Sequence, residues 1–321
     1  MPESNTLVLE IFRQDHALKM SLFEQGELAL TLRHYSQTSV SFIEIDKLCQ
    51  EVVSLLNKAN RKITAGQDLI VSLTKVGQLL WDNLLTRPVK ERLKSSSILG
   101  LILSIDEELI NIPWEFLYDG KSFLSLNFNL GRVVRTKEEI SLPQYRGFSP
   151  TLKMLILANP TNDLKSAYLE GINIRNQFDR KRNNVHIDFK STSIDKLYVK
   201  KHFCEYDIVH FAGHCEYDPA NPENSGWVLS DGRFSVEDIL NMGSTISLPI
   251  LVFSNACHWA KATPGLIDLD YQQKNYNLAS AFLFSGVRHY LGAIRRIEDP
   301  VSLENNRGQA LKKLSGRIKN S

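Results

Sequence analysis

Four short, continuous apolar runs recur between residues 152 and 294: "LKMLILA", "IVHFA", "PILVFS" and "HYLGAI". Runs of this length suit strands buried on both faces. Between them lie segments with helical spacing: Asp163 to about Phe178, "IDKLYVKKHF", "VEDILNM" and "LASAFLFSGV". A further strand, "VHIDF", follows the first of these, and "GWVLSDGRFS" reads as a hairpin closed by Asp-Gly. Strands alternating with helices predict an α/β fold with a mainly parallel sheet covered on both faces.

The first part of the chain has a different texture. "LVLEIF", "ALKMSLF" and "ELALTLRHY" alternate with polar turns and predict a small antiparallel sheet. Ile45, Leu48, Val52 and Leu55 recur at helical spacing, as do Leu69, Leu73, Val76, Leu80 and Leu84. Pro88 marks a boundary, and "ILGLILSI", "IPWEFLYDG" and "FLSLNFNLGRVV" read as strand pieces. The aperiodic stretch 137–151, with its Pro, Gly and charge, reads as a linker. The expected organisation is a mixed α+β region over 1–145 and an α/β domain over 146–321.

Composition narrows the function. Lysine plus arginine number 38 against 36 aspartates and glutamates, so there is no overall polyanion-binding signature and nucleic acid is not an expected direct partner. The basic end from Arg288 to Lys319 reads as a solvated surface. No apolar run is long enough to span a bilayer, and the start carries no signal-peptide pattern. Four cysteines in 321 residues make no disulfide framework. A soluble protein in a reducing, cytoplasmic setting is expected.

Reactive side chains gather at the carboxyl ends of two apolar runs, where parallel sheets bind ligands. "IVHFA" leads into Gly213-His214-Cys215, and "PILVFS" into Asn255-Ala256-Cys257. If the two strands lie side by side, His214 and Cys257 share a rim, as a thiolate–imidazole pair requires. His210 lies inside its strand and reads as a core histidine, while Cys49 and Cys204 read as small buried hydrophobes. His258 reads as shaping the loop beside Cys257. His210, His214 and Cys215 also form an H-x3-H-C cluster. Histidines four apart converge on one metal along a helix, however, whereas 207–212 reads as strand. No fourth ligand has a usual zinc spacing, so no metal is expected. "GKS" at 120–122 ends like a phosphate-binding loop, but position 115 is Glu and a strand-like stretch follows. No G-x-S-x-G elbow is present.

Over roughly 70–300 the chain resembles the CHAT family of caspase-like cysteine peptidases, in the caspase–separase group. The resemblance is carried by "DIVHFAGH", "SGWVLSDGRFSVEDI" and "LPILVFSNAC", with "LILSIDEELINIPWEFLYDGKSFL" and "ILANPTNDLKSAYLEG" upstream. It implies a caspase-like three-layer α/β/α sandwich and a cysteine endopeptidase without cofactor. His214 would be the catalytic histidine and Cys257 the nucleophile, with the backbone N–H groups of Cys215 and Cys257 holding the oxyanion. Asp163, just beyond the first catalytic strand, is a candidate for a substrate pocket that prefers a basic residue, or else a surface aspartate at a helix start. The substrate would be a protein or peptide. Family members often work with sensor domains, in bacterial defence among other settings, which implies a separate regulatory sensor protein here. Cys215 stands where the family usually has Gly, His258-Trp259 where it has small residues, and the end beyond the last strand is short and polar. These departures motivate an alternative: an inactive pseudoprotease acting as an interaction module.

Overall fold

The computed structural model describes residues 6–26, 34–61, 66–135, 146–147, 150–180, 184–218, 221–243, 247–258 and 271–292, with 57, 59–61, 66–67, 180, 257–258 and 271–277 described by their backbone. The described residues form two compact units, one within Met1–Glu138 and the other within Glu139–Leu266 and Asp270–Ser321.

The first unit begins with β1 (Thr6–Gln14), β2 (Ala17–Glu24) and β3 (Ser36–Ser39). The helices α1 (Phe42–Arg61), α2 (Gly66–Leu84) and α3 (Arg87–Ser95) follow, α3 carrying Pro88 in its first turn, where a missing N–H costs nothing. Next come β4 (Gly100–Asp106), a one-turn helix α4 (Leu124–Asn127) and β5 (Asn129–Arg135). The sheet order is β3-β2-β1-β4-β5. It is mixed rather than antiparallel, because β4 pairs in parallel with both β1 and β5. "IPWEFLYDG" is not a strand: Trp114–Phe116 is a single 3-10 turn, and the fully buried Trp114 donates its indole N–H to the Leu109 carbonyl at 3.1 Å. Pro113 precedes it with a non-extended backbone, so packing of one aromatic outweighs the local strand propensity. Of "ELALTLRHY", residues 27–33 lie outside the described residues. The helical spacing of α1 and α2 buries Ile45, Val52, Leu73, Val76 and Leu80 against Leu7, Leu9, Leu101 and Leu103 of the sheet. Each such side chain contributes about 1.5–3 kcal/mol.

The second unit runs β6 (Leu152–Ala158), α5 (Lys165–Arg180), β7 (Val185–Ser191), α6 (Lys196–His202) and β8 (Ile208–Glu216). The hairpin β9 (Gly226–Leu229) and β10 (Gly232–Ser235) comes next, then α7 (Val236–Gly243), β11 (Leu251–His258), α8 (Tyr271–Phe284) and β12 (His289–Gly292). β7–β6, β6–β8, β8–β11 and β11–β12 pair in parallel. β8 pairs with β6 through 208–212 and antiparallel with β9 through 215–216, so the hairpin extends the edge that β6 leaves and makes the sheet mixed.

Strand alternation sorts this sheet into two faces. Met154, Ile156 and Ala158 of β6 pack with Ile174 and Phe178 of α5. Leu155 and Leu157 pack instead with Val199 of α6, Ile239 of α7 and Phe282 of α8. The second face centres on Trp227, fully buried and stacked on Phe211 at 4.3 Å, with its indole N–H donated to Ser254 Oγ at 2.9 Å. Arg146, inside the expected linker, belongs to this unit by contact: its guanidinium holds the buried Asp207 carboxylate at 2.6 Å. Asp207 also accepts the Lys153 N–H at 2.8 Å, tying the start of β6 to the start of β8.

Candidate active site

β8 and β11 are immediate parallel neighbours, and their register pairs Cys257 with His214 and His258 with Cys215. Adjacent strands lie about 4.8 Å apart, so the two backbones stand next to each other near the carboxyl ends of their strands. Both strands run further than their apolar runs, to Glu216 and His258, because β8 and β11 continue to pair with each other there and β9 joins on the other side. His258 is thus a strand residue rather than a loop residue.

His214 is buried, and its Nε2 lies 3.0 Å from Asp163 Oδ2. The segment that presents Asp163 is built from polar local bonds. Asn159 and Asn162 both take the left-handed conformation, at φ 53° and 61°, which asparagine tolerates better than most residues. Asn159 Oδ1 accepts the Leu164 N–H at 2.8 Å, and its own N–H is donated to the Ala212 carbonyl at 2.8 Å. Thr161 donates its hydroxyl to the other Asp163 oxygen. A Cβ on Gly213 would meet the Phe211 ring at 2.9 Å and Pro160 Cδ at 3.0 Å, so the glycine lets this segment lie close to β8. Burial acts to raise the Asp163 pKa, but the hydrogen bonds from Thr161 and His214 and the nearby imidazole outweigh it and hold the carboxyl below its ordinary value.

The other residues singled out in the sequence are dispersed. Cys215 is half-buried and packs against the core of the α6–α8 face, while Asp163 approaches His214 from the segment leading into α5. His210 is buried and occupied: its ring stacks on Phe253 at 4.9 Å and its Nε2 lies 2.9 Å from Glu170 Oε1. Glu170 Oε2 accepts from Asn255 Nδ2 at 2.6 Å. The two histidines therefore hold different carboxylates, and, four positions apart along the strand, their backbones are separated by about 13 Å. They do not converge on one ion, and among the described residues no cluster of three His, Cys, Asp or Glu is placed to hold a metal. Burial, with Asp46 adding to it, pushes the Cys49 thiol up to about 12. The Cys204 thiol is also raised, mainly by burial, with Glu205 adding and Arg146 opposing.

At 120–122 the backbone forms no anion cradle. Asp119 Oδ1 accepts the N–H groups of Lys121 and Ser122 at 2.7 and 2.8 Å, filling the place a phosphate oxygen would take. The pairing of Asp163 with His214 and of Glu170 with His210 and Asn255 was not visible in the sequence. The signal available was weak: two acidic residues seven apart on a strand-to-helix connection, ahead of two histidines four apart on a strand.

Among the described residues no helix is long and apolar enough to cross a membrane. No curated protein matches the chain. The model of the CHAT domain matches residues 74–304, from within α2 past the end of β12. That span covers most of the chain and includes the β8–β11 pair with His214 and Cys257. The chain belongs to the CHAT-domain family, which is related to the caspase-like cysteine peptidases.

Proposed function

We propose that this chain is a cysteine endopeptidase whose dyad is Cys257 and His214 on a caspase-like α/β/α sandwich. The observation that carries the reading is the register of β8 and β11, which makes these two residues direct neighbours. The Cys257 thiolate attacks the scissile carbonyl of a protein substrate, and the backbone N–H groups of Cys215 and Cys257 steady the oxyanion. His214 hands a proton to the departing amine, leaving a thioester that water then hydrolyses. With Nε2 committed to Asp163, Nδ1 is the nitrogen that exchanges the proton. Asp163 then orients and supports the imidazole rather than selecting substrate, since its oxygens already hold His214 and Thr161.

The reading includes a cytoplasmic setting, expected from the composition, together with regulation by a separate sensor protein and a role in bacterial defence, both drawn from the family resemblance. The rival reading, an inactive interaction module, draws on Cys215 in place of Gly and on His258-Trp259 in place of small residues. Packing of the Cys215 side chain toward the α6–α8 core favours activity, because it puts that side chain on the opposite face of the sheet from the one on which His214 meets Asp163. A proteomic comparison of cells expressing wild type and Cys257→Ala tests the proposal. New protein fragments with wild type alone are expected, and identical fragment sets would leave the interaction module as the better account.

A further inference from the structure

We infer that Glu170 is a positioning residue for His214: its carboxylate fixes α5 along β8 and thereby fixes Asp163. The inference rests on the peptidase reading only for its catalytic consequence.

The connection from β6 into α5 carries two carboxylates, and each holds one histidine of β8. Asp163, just before the helix, meets His214 at 3.0 Å, and Glu170, in its second turn, meets His210 at 2.9 Å. Sliding α5 along the strand would break both bonds together. Glu170 also accepts from Asn255 of β11 at 2.6 Å, so one carboxylate ties α5 to both strands of the proposed dyad. The other contacts of α5 with the sheet, through Tyr168 on Phe189 and through Gly171, Ile174 and Phe178, are packing contacts, and none is a hydrogen bond to β8. The segment 159–163 is tied at its start to β8, through the Asn159 N–H and the Ala212 carbonyl, and at its end to α5, through Asn159 Oδ1 and the Leu164 N–H, so Asp163, next to Leu164, follows the start of the helix.

Gly171 supports the same reading. A Cβ there would meet the Phe189 ring at 2.6 Å and Ala158 Cβ at 2.9 Å, so the helix lies on the sheet at a distance that only glycine allows. At that distance the neighbouring Glu170 reaches the buried His210 ring. Beside Glu170 lies a cavity of about 630 Å³, bordered also by His210, Phe253 and Asn255. A small carboxylate such as acetate fits that space, which makes chemical rescue of a truncated Glu170 a direct test.

The experiment follows the His214 imidazole by nitrogen NMR in histidine-labelled protein, with Asp163→Ala as the reference for a lost carboxylate bond. Glu170→Ala is expected to move the His214 signal toward that reference, and added acetate to return it. Single-turnover cleavage should fall about ten- to a hundredfold and recover with acetate, as expected when a catalytic group is misplaced by about 1 Å. An unmoved His214 signal overturns the inference. So does a moved signal that acetate leaves unchanged while the thermal midpoint drops, since that describes a purely structural role. If Glu170→Ala does not fold, Glu170→Gln serves: its amide offers one acceptor where two donors wait, so the signal should shift part of the way, and no shift overturns the inference. If the signals behave as expected but wild type neither cleaves nor shows a reactive Cys257, the peptidase reading fails while the positioning role stands.

Discussion

His214 and Cys257 are register partners in the parallel ladder of β8 and β11, side by side near the ends of both strands. Forty-three positions of sequence separate them, spanned by a hairpin, a short helix and a strand. The register of the ladder, held by backbone hydrogen bonds, sets the two backbones side by side.

Cys257→Ala should abolish cleavage and leave the thermal transition in place. In wild type, iodoacetamide should label Cys257 well before Cys49 or Cys204, whose thiols burial keeps protonated near neutral pH. Mass spectrometry of a time course reads the order directly. Equal rates at the three sites would argue against an activated thiol.

The two histidines should separate cleanly in turnover. His214→Ala is expected to lose nearly all turnover; its ring is buried too, so stability should also fall, by about 1–3 kcal/mol. His210→Ala removes a buried ring stacked on Phe253 and strips a partner from Glu170, and should cost about 1–3 kcal/mol of stability. Thermal midpoints and single-turnover rates for both variants decide it. A stable, inactive His210→Ala beside an active His214→Ala would misplace the dyad.

Asp163→Asn should lower kcat about a hundredfold with KM little changed, because the amide no longer enforces one tautomer and orientation of His214. In wild type the carboxyl lies below its ordinary value, so the charged Asp163–His214 contact is complete above the usual carboxylate range. It is lost only as pH falls through the depressed folded value. The acid limb of the pH–rate profile checks this. Unchanged kcat together with a lost preference for basic residues at the cut would return Asp163 to a substrate pocket.

Asp238 of α7 holds Lys196 at 3.1 Å and Lys200 at 2.7 Å, joining α7 to α6. Burial opposes its ionisation, but the bonds from Lys200, the Ser235 N–H and Lys196 prevail and lower its pKa to about 2. The stabilisation is therefore fully present above the unfolded carboxylate value near 4 and disappears as pH falls toward 2. Asp238→Asn should cost about 1–2 kcal/mol in urea unfolding at pH 7 and much less near pH 2. A pH-independent difference would contradict the ionic origin.

Chelators should leave activity unchanged, since His210 and His214 engage separate carboxylates. Inactivation by a chelator, reversed by added zinc, would restore the metal reading of 210–215.

Read residue by residue, the sequence was most informative where periodicity and burial agree. The apolar runs that became β6 and β8 are continuous because these strands bury both faces, whereas β11 buries Val252, Ser254 and Ala256 on one face and leaves Phe253 exposed on the other; the order of strands and helices in the second unit follows from these runs. The helices α1 and α2 were legible for the same reason, from one apolar stripe each. Trp114 marks where local pattern failed, because its single buried indole bond bends a strand-like stretch into a turn.

The sequence by itself determined which residue types stand at the carboxyl ends of the central strands, and so made His214 and Cys257 candidates for one rim. Only the tertiary structure decided which carboxylate each histidine holds. Asp163 and Glu170 are acidic residues on the same connection and look equivalent in sequence, yet one faces His214 and the other His210 and Asn255. That choice depends on how far α5 slides along β8 and how closely it lies on the sheet. The first is set by the bonds of Glu170 to His210 and Asn255, the second by packing around Gly171 and Gly213, and no pattern of neighbouring residues encodes either.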